Sequence, residues 1–250
     1  MNNDEILLVD KPAGMSSFGV VARVRRRLSE EAGHKVKVGH TGTLDPFATG
    51  LLILLTGKGT KRANEFLKLD KEYEATICLG KVSSTGDIEG DISDYPFSGR
   101  VRAARRCGGA PLEPRFARAS QGANGRNLRT PRRKDVENVL ASFVGEIFQQ
   151  VPSYSAVKIN GQRAYKLARA GKEVEMPVRK VTIYNIEILD YKWPELKIRC
   201  EVSSGTYIRA LGQDIGERLG VGGYLTQLRR TKVGEYRVKD AERRLDFIFT

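Results

Sequence analysis

The 250-residue chain has few of the residues that build disulfide frameworks and metal centres, with only three cysteines and two histidines. The cysteines lie far apart in the sequence, at Cys78, Cys107 and Cys200, so they indicate neither a disulfide framework nor a zinc site. The two histidines supply no obvious set of metal ligands. The sequence therefore predicts a protein that needs no metal.

Long apolar runs are also missing. No stretch of about 18 apolar residues occurs, and the N-terminus lacks the basic-then-apolar pattern of a secretory signal. A hydrophobic content of 40% and a charged content of 29% are typical of a globular protein that does not enter membranes. We therefore expect a cytoplasmic protein with one large domain or two modest ones.

Acidic residues are too few to balance the basic ones, and the resulting net charge of +13 points to a polyanionic partner. Residues 100–133 contain ten arginines against the single acid Glu113, and they supply +9 of that charge. Glycine and proline are frequent there and no apolar period is sustained, so the sequence predicts a disordered insertion at about 97–133. This insertion is either an arm that contacts nucleic-acid phosphates or a solvated, dispensable loop.

The most informative stretch is residues 39–52, which read Gly-His-Thr-Gly-Thr-Leu-Asp-Pro-Phe-Ala-Thr-Gly-Leu-Leu. Asp45 is its only carboxylate, and Pro46 biases Asp45 away from helix, so the acid is expected on a rigid turn. The apolar run 51–55 that follows predicts a buried strand or the start of a helix. Such a turn presents a nucleophilic carboxylate, although an Asp-Pro turn alone is usually just a connection.

The remaining pattern predicts an α+β protein, because strands interleave with helices without a regular βαβ rhythm. A helix is expected to begin at Ser16 or Ser17, with Val20, Val21 and Val24 facing inward. Further helices are predicted at 133–143, 161–170 and 208–219. Strands are predicted at 6–9, 71–79, 181–190 and 196–203, with a strand-like segment at 225–236.

Several blocks of the chain, in the same order, closely resemble the TruB-type tRNA pseudouridine-55 synthases. The first block is residues 39–52 with its His-Thr-Gly-Thr-Leu-Asp-Pro core. The others are Leu-Leu-Val-Asp-Lys-Pro-Ala-Gly-Met-Ser-Ser at 7–17, Lys-Glu-Tyr-Glu-Ala at 71–75, Val-Pro-Ser-Tyr-Ser-Ala-Val-Lys at 151–158, Ser-Ser-Gly-Thr-Tyr-Ile-Arg-Ala-Leu at 203–211, and Leu-Arg-Arg at 228–230.

The resemblance implies a single pseudouridine synthase catalytic domain over 1–250, with a mixed, largely antiparallel sheet, flanking helices and a central catalytic cleft. It also implies a thumb-like RNA-binding segment at 151–179. Standard members carry a small C-terminal RNA-binding domain, for which we expect no room before Thr250. The resemblance further implies a monomer that binds the T-arm of tRNA and flips out the uridine at position 55.

The same resemblance places the nucleophile at Asp45 and a guanidinium against it at Arg209. An opposite charge within a few ångströms keeps a carboxylate ionised, and a guanidinium can grip it with two hydrogen bonds. The carboxylate could attack either the sugar or the base, and the residues do not decide between them. Isomerisation of uridine involves no redox change, so we expect no cofactor. Taken without the family, Arg209 would be a surface ion-pair partner.

Six further residues take their expected roles from the resemblance. Tyr73 would stack on the flipped uracil and help to remove its C5 proton, although a half-buried strand tyrosine is the plain alternative. The others are expected to bind substrate: His40 beside the vacated RNA position, Tyr207 and Leu228 lining the pocket, Lys11 bracing the loop or touching substrate, and Lys158 reaching a phosphate.

Rival interpretations follow from the same residues. An RNA-guided synthase subunit would share the chemistry, and a tRNA-binding or tRNA-folding protein would share the charge. A carboxylate glycosidase would need a second acid near Asp45, and none lies beside it in the sequence. The run Gly-Asp-Ile-Glu-Gly-Asp at 86–91 lacks the remaining ligands of a calcium loop, so we reject a calcium site there.

Overall fold

The structure is a computed structural model that describes residues 5–95, 130–155, 157–159, 161–170 and 175–241. The arginine-rich insertion predicted at 97–133 lies outside the described residues except for its last four positions. The helices of the described part are α1 (Ser17–Ala32), α2 (Ala63–Leu67), α3 (Arg133–Ala141), α4 (Ala164–Arg169) and α5 (Ile208–Arg218). No helix in this part is long and apolar enough to cross a membrane.

The strands of the described part range from two to fifteen residues. They are β1 (Ile6–Lys11), β2 (Val38–His40), β3 (Thr49–Thr56), β4 (Lys71–Leu79), β5 (Lys81–Ser83), β6 (Ile92–Asp94), β7 (Gly145–Gln150), β8 (Lys158–Ile159), β9 (Gln162–Arg163), β10 (Val178–Lys192), β11 (Glu195–Val202), β12 (Gly223–Val233) and β13 (Tyr236–Arg237). The longest are β10 and β12.

The chain divides into two compact units, each assembled from separate segments. The first unit comprises Met1–Glu74, Glu201–Ser204 and Gln227–Thr250, and the second comprises Ala75–Cys200 and Gly205–Thr226. Strands β4, β11 and β12 therefore contribute residues to both units.

In the first unit, β3 is the central element, because its apolar side chains pack into a core on each face of the sheet. Strand β1 pairs with β3 in antiparallel register from Ile6 opposite Leu55 to Lys11 opposite Gly50. Strand β2 also pairs with β3 in antiparallel register, from Val38 opposite Thr56 to His40 opposite Leu54. One face of the unit packs against α1 and the other against α2. The apolar run predicted at 51–55 is therefore a buried strand.

Helix α1 covers one face of β3 as the sequence predicts. The Ser16 hydroxyl caps its N-terminus by accepting a hydrogen bond from the Gly19 amide, and Gly33 ends it in the left-handed conformation. Val20, Val21 and Val24 are all buried in a core cluster with Leu52 and Leu54, and the other buried members are Leu7, Val9, Val36 and Val38. The predicted inward face is confirmed.

In the second unit, the sheet runs in the order β12–β4–β11–β10–β7, and α3 packs against β10 and α5. Strand β7 pairs with β10 in antiparallel register from Gln150 opposite Val178 to Gly145 opposite Ile183. The helix predicted at 161–170 is shorter, because a small hairpin of β8 and β9 turns at Gly161 with a positive φ of 81°. The mixed, largely antiparallel sheets confirm the predicted α+β class.

Candidate active site

Asp45 lies in the loop between β2 and β3 of the first unit, and its side chain is half-buried. The Asp45 carbonyl accepts a hydrogen bond from the Ala48 amide at 3.1 Å, which closes a tight turn across Pro46 and Phe47. This is the rigid turn predicted from the Asp-Pro pair. We call residues 41–48 the Asp45 loop.

Backbone hydrogen bonds fix the peptide units on both sides of Asp45. The Ser17 hydroxyl, at the start of α1, donates to the Leu44 carbonyl at 2.9 Å and accepts from the Leu44 amide at 2.8 Å. The Pro46 carbonyl accepts from the Gly14 amide at 2.9 Å. The peptide groups on both sides of Asp45 are therefore held in place.

Lys11 braces the same loop from a completely buried position. Its exposed fraction is 0%, and its ammonium group donates to the carbonyls of Pro12 at 2.8 Å, Met15 at 2.6 Å and Pro46 at 3.1 Å. An ammonium group has three hydrogens, and each of these three backbone carbonyls can accept one of them. These contacts fit the bracing role that we also considered for Lys11, and substrate binding by Lys11 stays a prediction.

His40 ends β2 and is half-buried at the entrance to the Asp45 loop. The Gly42 amide donates to Nδ1 of His40 at 3.4 Å. The predicted contact of His40 with RNA stays a prediction.

Arg209 lies in the second unit, in the first turn of α5, and it is buried. Its guanidinium donates to the carbonyls of Thr85 at 3.0 Å and Tyr154 at 2.8 Å, and it lies 3.4 Å from a carboxylate oxygen of Asp87. The surface ion-pair alternative is excluded by this burial. The predicted pairing with Asp45 joins residues of the two units and stays a prediction.

Asp87 is a site residue that sequence reasoning missed. Its side chain is only 3% exposed, and its Oδ1 accepts from the Thr85 hydroxyl at 2.6 Å and from the Glu89 amide at 3.0 Å. Its Oδ2 faces Arg209. The Asp87 carboxylate thus orients the Arg209 guanidinium. The run at 86–91 was rejected as a calcium loop, and its first carboxylate has this structural role instead. The one signal in the sequence was an acid inside a Gly-rich turn.

Gln149 is a second missed residue, and it fixes the backbone that leads into Arg209. Its buried side-chain amide donates to the Tyr207 carbonyl at 3.0 Å and accepts from the Tyr207 amide at 2.7 Å. The Tyr207 side chain packs against a small core formed by Val151, Ala164 and Met176. The start of α5 is therefore held by a buried side chain from the end of β7.

The other predicted site residues are placed as follows. Tyr73 on β4 and Leu228 on β12 are buried in the first unit, on neighbouring strands, whereas Lys158 on β8 is exposed in the second unit. Within the described residues, no three His, Cys, Asp or Glu side chains are grouped as metal ligands would be.

A cationic cavity of about 360 Å³ lies elsewhere on the first unit. Four exposed lysines line it, from the turn before β2 and from the turn after β3, and we call it the lysine cavity: Lys35, Lys37, Lys58 and Lys61, with His34, Val36, Gly57 and Thr60. No carboxylate is among these lining residues. A concave surface with this charge suits a phosphate group.

Lys71, at the start of β4, is a buried cation with a lowered pKa. Its ammonium donates to the Leu67 and Leu69 carbonyls at the end of α2. Burial, together with the charge of Arg230, lowers the pKa of Lys71 to about 8, and Asp70 offsets this only in part. The lysine is therefore easier to bury as the neutral amine, which still has two hydrogens for the two carbonyls.

This shift predicts a dependence of stability on pH. The folded pKa lies below the ordinary value, so between about pH 8 and about pH 10.5 the unfolded chain binds more protons, and the contribution of Lys71 to stability rises with pH. We expect the free energy of unfolding in urea to increase, relative to that of Lys71→Met, when the pH is raised from about 7.5 to about 9.5. The exposed Lys68→Met gives the control, and a pH-independent difference for Lys71→Met would contradict the prediction.

Two family models match the chain. The TruB family pseudouridylate synthase N-terminal domain matches residues 25–104 and 116–208, and the tRNA pseudouridylate synthase B C-terminal domain matches residues 209–246. Among similar proteins, tRNA pseudouridine synthase B of Phocaeicola vulgatus is 42% identical over 238 residues, which cover 94% of this chain and 88% of that protein. The Bifidobacterium longum protein of the same name is 40% identical over 260 residues, covering 94% of this chain and 64% of that protein.

Solved structures agree in fold. The chain resembles one in a Cbf5–Nop10–Gar1 complex with a TM-score of 0.60 at 27% identity, covering 93% of this chain and 49% of the other. A chain in an H/ACA RNP bound to a substrate RNA containing 2′-deoxyuridine gives a TM-score of 0.56 at 25% identity, with coverage of 93% and 48%. The chain thus spans about half the length of these structures. On the strength of the family models and the identity over nearly its whole length, the chain belongs to the TruB family of pseudouridylate synthases.

Proposed function

We propose that this protein is an isomerase that converts a uridine in the T-loop of tRNA, at position 55, to pseudouridine, with Asp45 as the nucleophile. Membership of the TruB family supports tRNA as the substrate. The observation that carries the assignment of Asp45 is the loop itself, in which one half-buried carboxylate is held on a turn fixed at Leu44 and Pro46.

The reaction breaks the bond between ribose C1′ and uracil N1, turns the base, and joins C1′ to C5. N1 gains a proton and C5 loses one, so the product has the composition of the substrate and no cofactor is consumed. An Asp45 adduct at C1′ or at the base divides the exchange into two easier steps. A fixed backbone lowers the entropic cost of bringing the reacting atoms to about 3–3.5 Å from each other, the separation that attack requires.

Other residues supply the conditions for this attack. Arg209 would hold the Asp45 carboxylate ionised and oriented, since Asp87 and two backbone carbonyls already fix its guanidinium. Tyr73 would stack on the flipped uracil and help to remove the C5 proton, while Leu228 would form an apolar wall beside the base. Tyr207 would line the same pocket, and His40 would lie beside the RNA position that the uridine leaves.

The T-arm would be held through its phosphates. The lysine cavity of the first unit and the basic side chains of the segment at 151–179, among them the exposed Lys158, carry charges that suit this contact. One monomer, acting in the cytoplasm, would suffice for binding and chemistry. The arginine-rich insertion at 97–133 could add further phosphate contacts, which a deletion assayed across salt concentrations would detect.

The lysine cavity gives a prediction about salt. Replacing Lys37 and Lys61 by glutamine should weaken tRNA binding and lower the slope of log affinity against log salt by about 2, because each phosphate contact contributes close to one unit. The single-turnover rate on saturating tRNA should be unchanged, since the lysines bind but do not react. Filter binding between about 50 and about 200 mM salt measures the slope. Lys68→Gln, an exposed lysine outside the cavity, is the control, and an unchanged slope in the double variant would contradict the role.

The direct test of the proposed function is to map pseudouridine in an unmodified tRNA transcript after incubation with the purified protein. We expect one new pseudouridine at position 55, and none when that uridine is replaced by cytidine. The likeness to a chain of an H/ACA RNP raises a second candidate, a synthase subunit guided by a separate RNA. Turnover of the tRNA transcript without an added guide RNA would exclude that candidate, whereas binding without turnover would favour a tRNA-folding protein.

A further inference from the structure

Arg230 is a buried cation that links β12 to the Asp45 loop in the first unit. Its exposed fraction is 3%, and its guanidinium donates through Nε to the Leu51 carbonyl at 2.8 Å and through Nη2 to the Gly42 carbonyl at 3.1 Å. Leu51 lies on β3 just after the loop, and Gly42 lies in the loop three residues before Asp45. One side chain therefore ties both ends of the loop to a third strand.

The backbone around Arg230 is built for this close approach. Strand β12 pairs with β3 in parallel, with Arg230 opposite Gly50. Gly50 has a φ of 101°, and a Cβ atom placed there would lie 2.3 Å from the Arg230 carbonyl oxygen. Only glycine fits this position, because any side chain would push β12 away and move the guanidinium off its two acceptors.

The choice of arginine is informative, because a buried charge is costly. In the part of the chain that the structure describes, no carboxylate forms an ion pair with Arg230, and its partners are neutral backbone carbonyls. A packed apolar side chain would fill the same volume without the desolvation penalty. A rigid guanidinium, however, donates to these two carbonyls through two different nitrogens, whereas an apolar side chain donates no hydrogen bond and a lysine has a single donor nitrogen.

We propose that Arg230 is a positioning residue for the nucleophile: through the Gly42 carbonyl it fixes the entrance of the Asp45 loop, as Lys11 and Ser17 fix its tip. The inference rests on the proposed function in taking Asp45 as the reacting group. It predicts that Arg230 governs where the carboxylate lies without contacting RNA itself.

Two substitutions of Arg230 test the proposal. Arg230→Lys keeps the charge but replaces the two donor nitrogens of the fixed fork by one. Arg230→Met keeps the volume and should fold, because an apolar replacement of a buried charge is commonly tolerated. In both, the single-turnover rate of pseudouridine formation should fall about 100-fold, the loss expected for a reacting group misplaced by about 1 Å. The dissociation constant for tRNA should stay within about threefold, since no RNA contact is lost.

Hydrogen exchange gives a readout that does not depend on catalysis. The amides of Thr41, Leu44 and Ala48 donate to Ile53, Ser17 and Asp45 respectively, and they should exchange faster in both variants. The β3 amides from Leu52 to Leu55 should keep their protection. If the unaltered protein forms no pseudouridine, the proposed function fails, while the exchange result still decides whether Arg230 positions the loop.

Two controls separate positioning from general stability and from charge. Val24→Ala opens a cavity in the α1 core and should lower the melting temperature with little effect on the rate. Arg26→Gln removes the same charge from an exposed helix surface. A full rate with unchanged exchange in Arg230→Lys and Arg230→Met would overturn the proposal. So would a loss of rate matched by an equal loss of tRNA affinity, which would make Arg230 an RNA-binding residue.

Discussion

Asp45→Asn should abolish pseudouridine formation while leaving tRNA binding intact. Asparagine has the shape of aspartate but no anionic oxygen to form the adduct, so the single-turnover rate should fall by at least about 10⁴-fold. The turn around Asp45 is held through backbone groups of Leu44 and Pro46, so the loop should survive the substitution. The rate is measured with excess protein over tRNA, and the affinity by filter binding.

Asp94→Asn is the matched control for Asp45→Asn, because it removes the same charge from a side chain that is 90% exposed. It should change neither rate nor affinity. Retention of a tenth of the rate by Asp45→Asn would contradict the nucleophile assignment. Loss of rate with unchanged binding and unchanged tRNA-folding assistance would show that catalysis and folding assistance coexist in one protein.

Asp87→Asn should also cause a large loss of rate, although Asp87 is expected to act through Arg209. The substitution removes the Asp87 carboxylate from beside a buried guanidinium, so Arg209 should shift away from the position that orients the nucleophile. We expect a fall of about 100-fold in the single-turnover rate with tRNA affinity within about threefold. The measurement must be made well below the melting temperature, because breaking a buried ion pair also lowers stability.

Glu89→Gln and a double-substitution cycle sharpen this test. Glu89 is exposed two residues from Asp87, so its neutralisation should leave the rate unchanged. If Asp87 acts through Arg209, the rate losses of Asp87→Asn and Arg209→Lys should be far from additive in the double variant. The reason is that Arg209→Lys removes a guanidinium that Asp87→Asn has already displaced. Additive losses would contradict the coupling and leave Asp87 with a separate role.

Elements with a strong local signal could be predicted from the sequence. Strand β4 covers the predicted residues 71–79, the inward face of α1 is as expected, and the Asp-Pro turn at Asp45 forms. In each case the pattern that decides the structure lies within about ten residues of the chain. Strand β7 was missed because its six residues pair with a distant partner and show little periodicity of their own.

The missed site residues are buried polar groups whose partners are far away in sequence. Asp87 meets Arg209, Gln149 meets Tyr207 at a separation of 58 residues, and Arg230 meets Gly42 at a separation of 188 residues. No local pattern distinguishes such side chains from the many charged residues of a chain with 43 lysines and arginines. For the same reason the contacts of the Lys11 ammonium with three backbone carbonyls could not be predicted, because no local pattern in the sequence indicates them.

The most direct measurement is an experimental structure of the protein bound to a T-arm RNA that carries the target uridine. We expect the uridine out of its stack, an Asp45 carboxylate oxygen about 3–3.5 Å from either ribose C1′ or uracil C6, and the Arg209 guanidinium within hydrogen-bond reach of the same carboxylate. A uridine that remains stacked, or an Asp45 carboxylate with neither the nucleotide nor Arg209 beside it, would contradict the assignment.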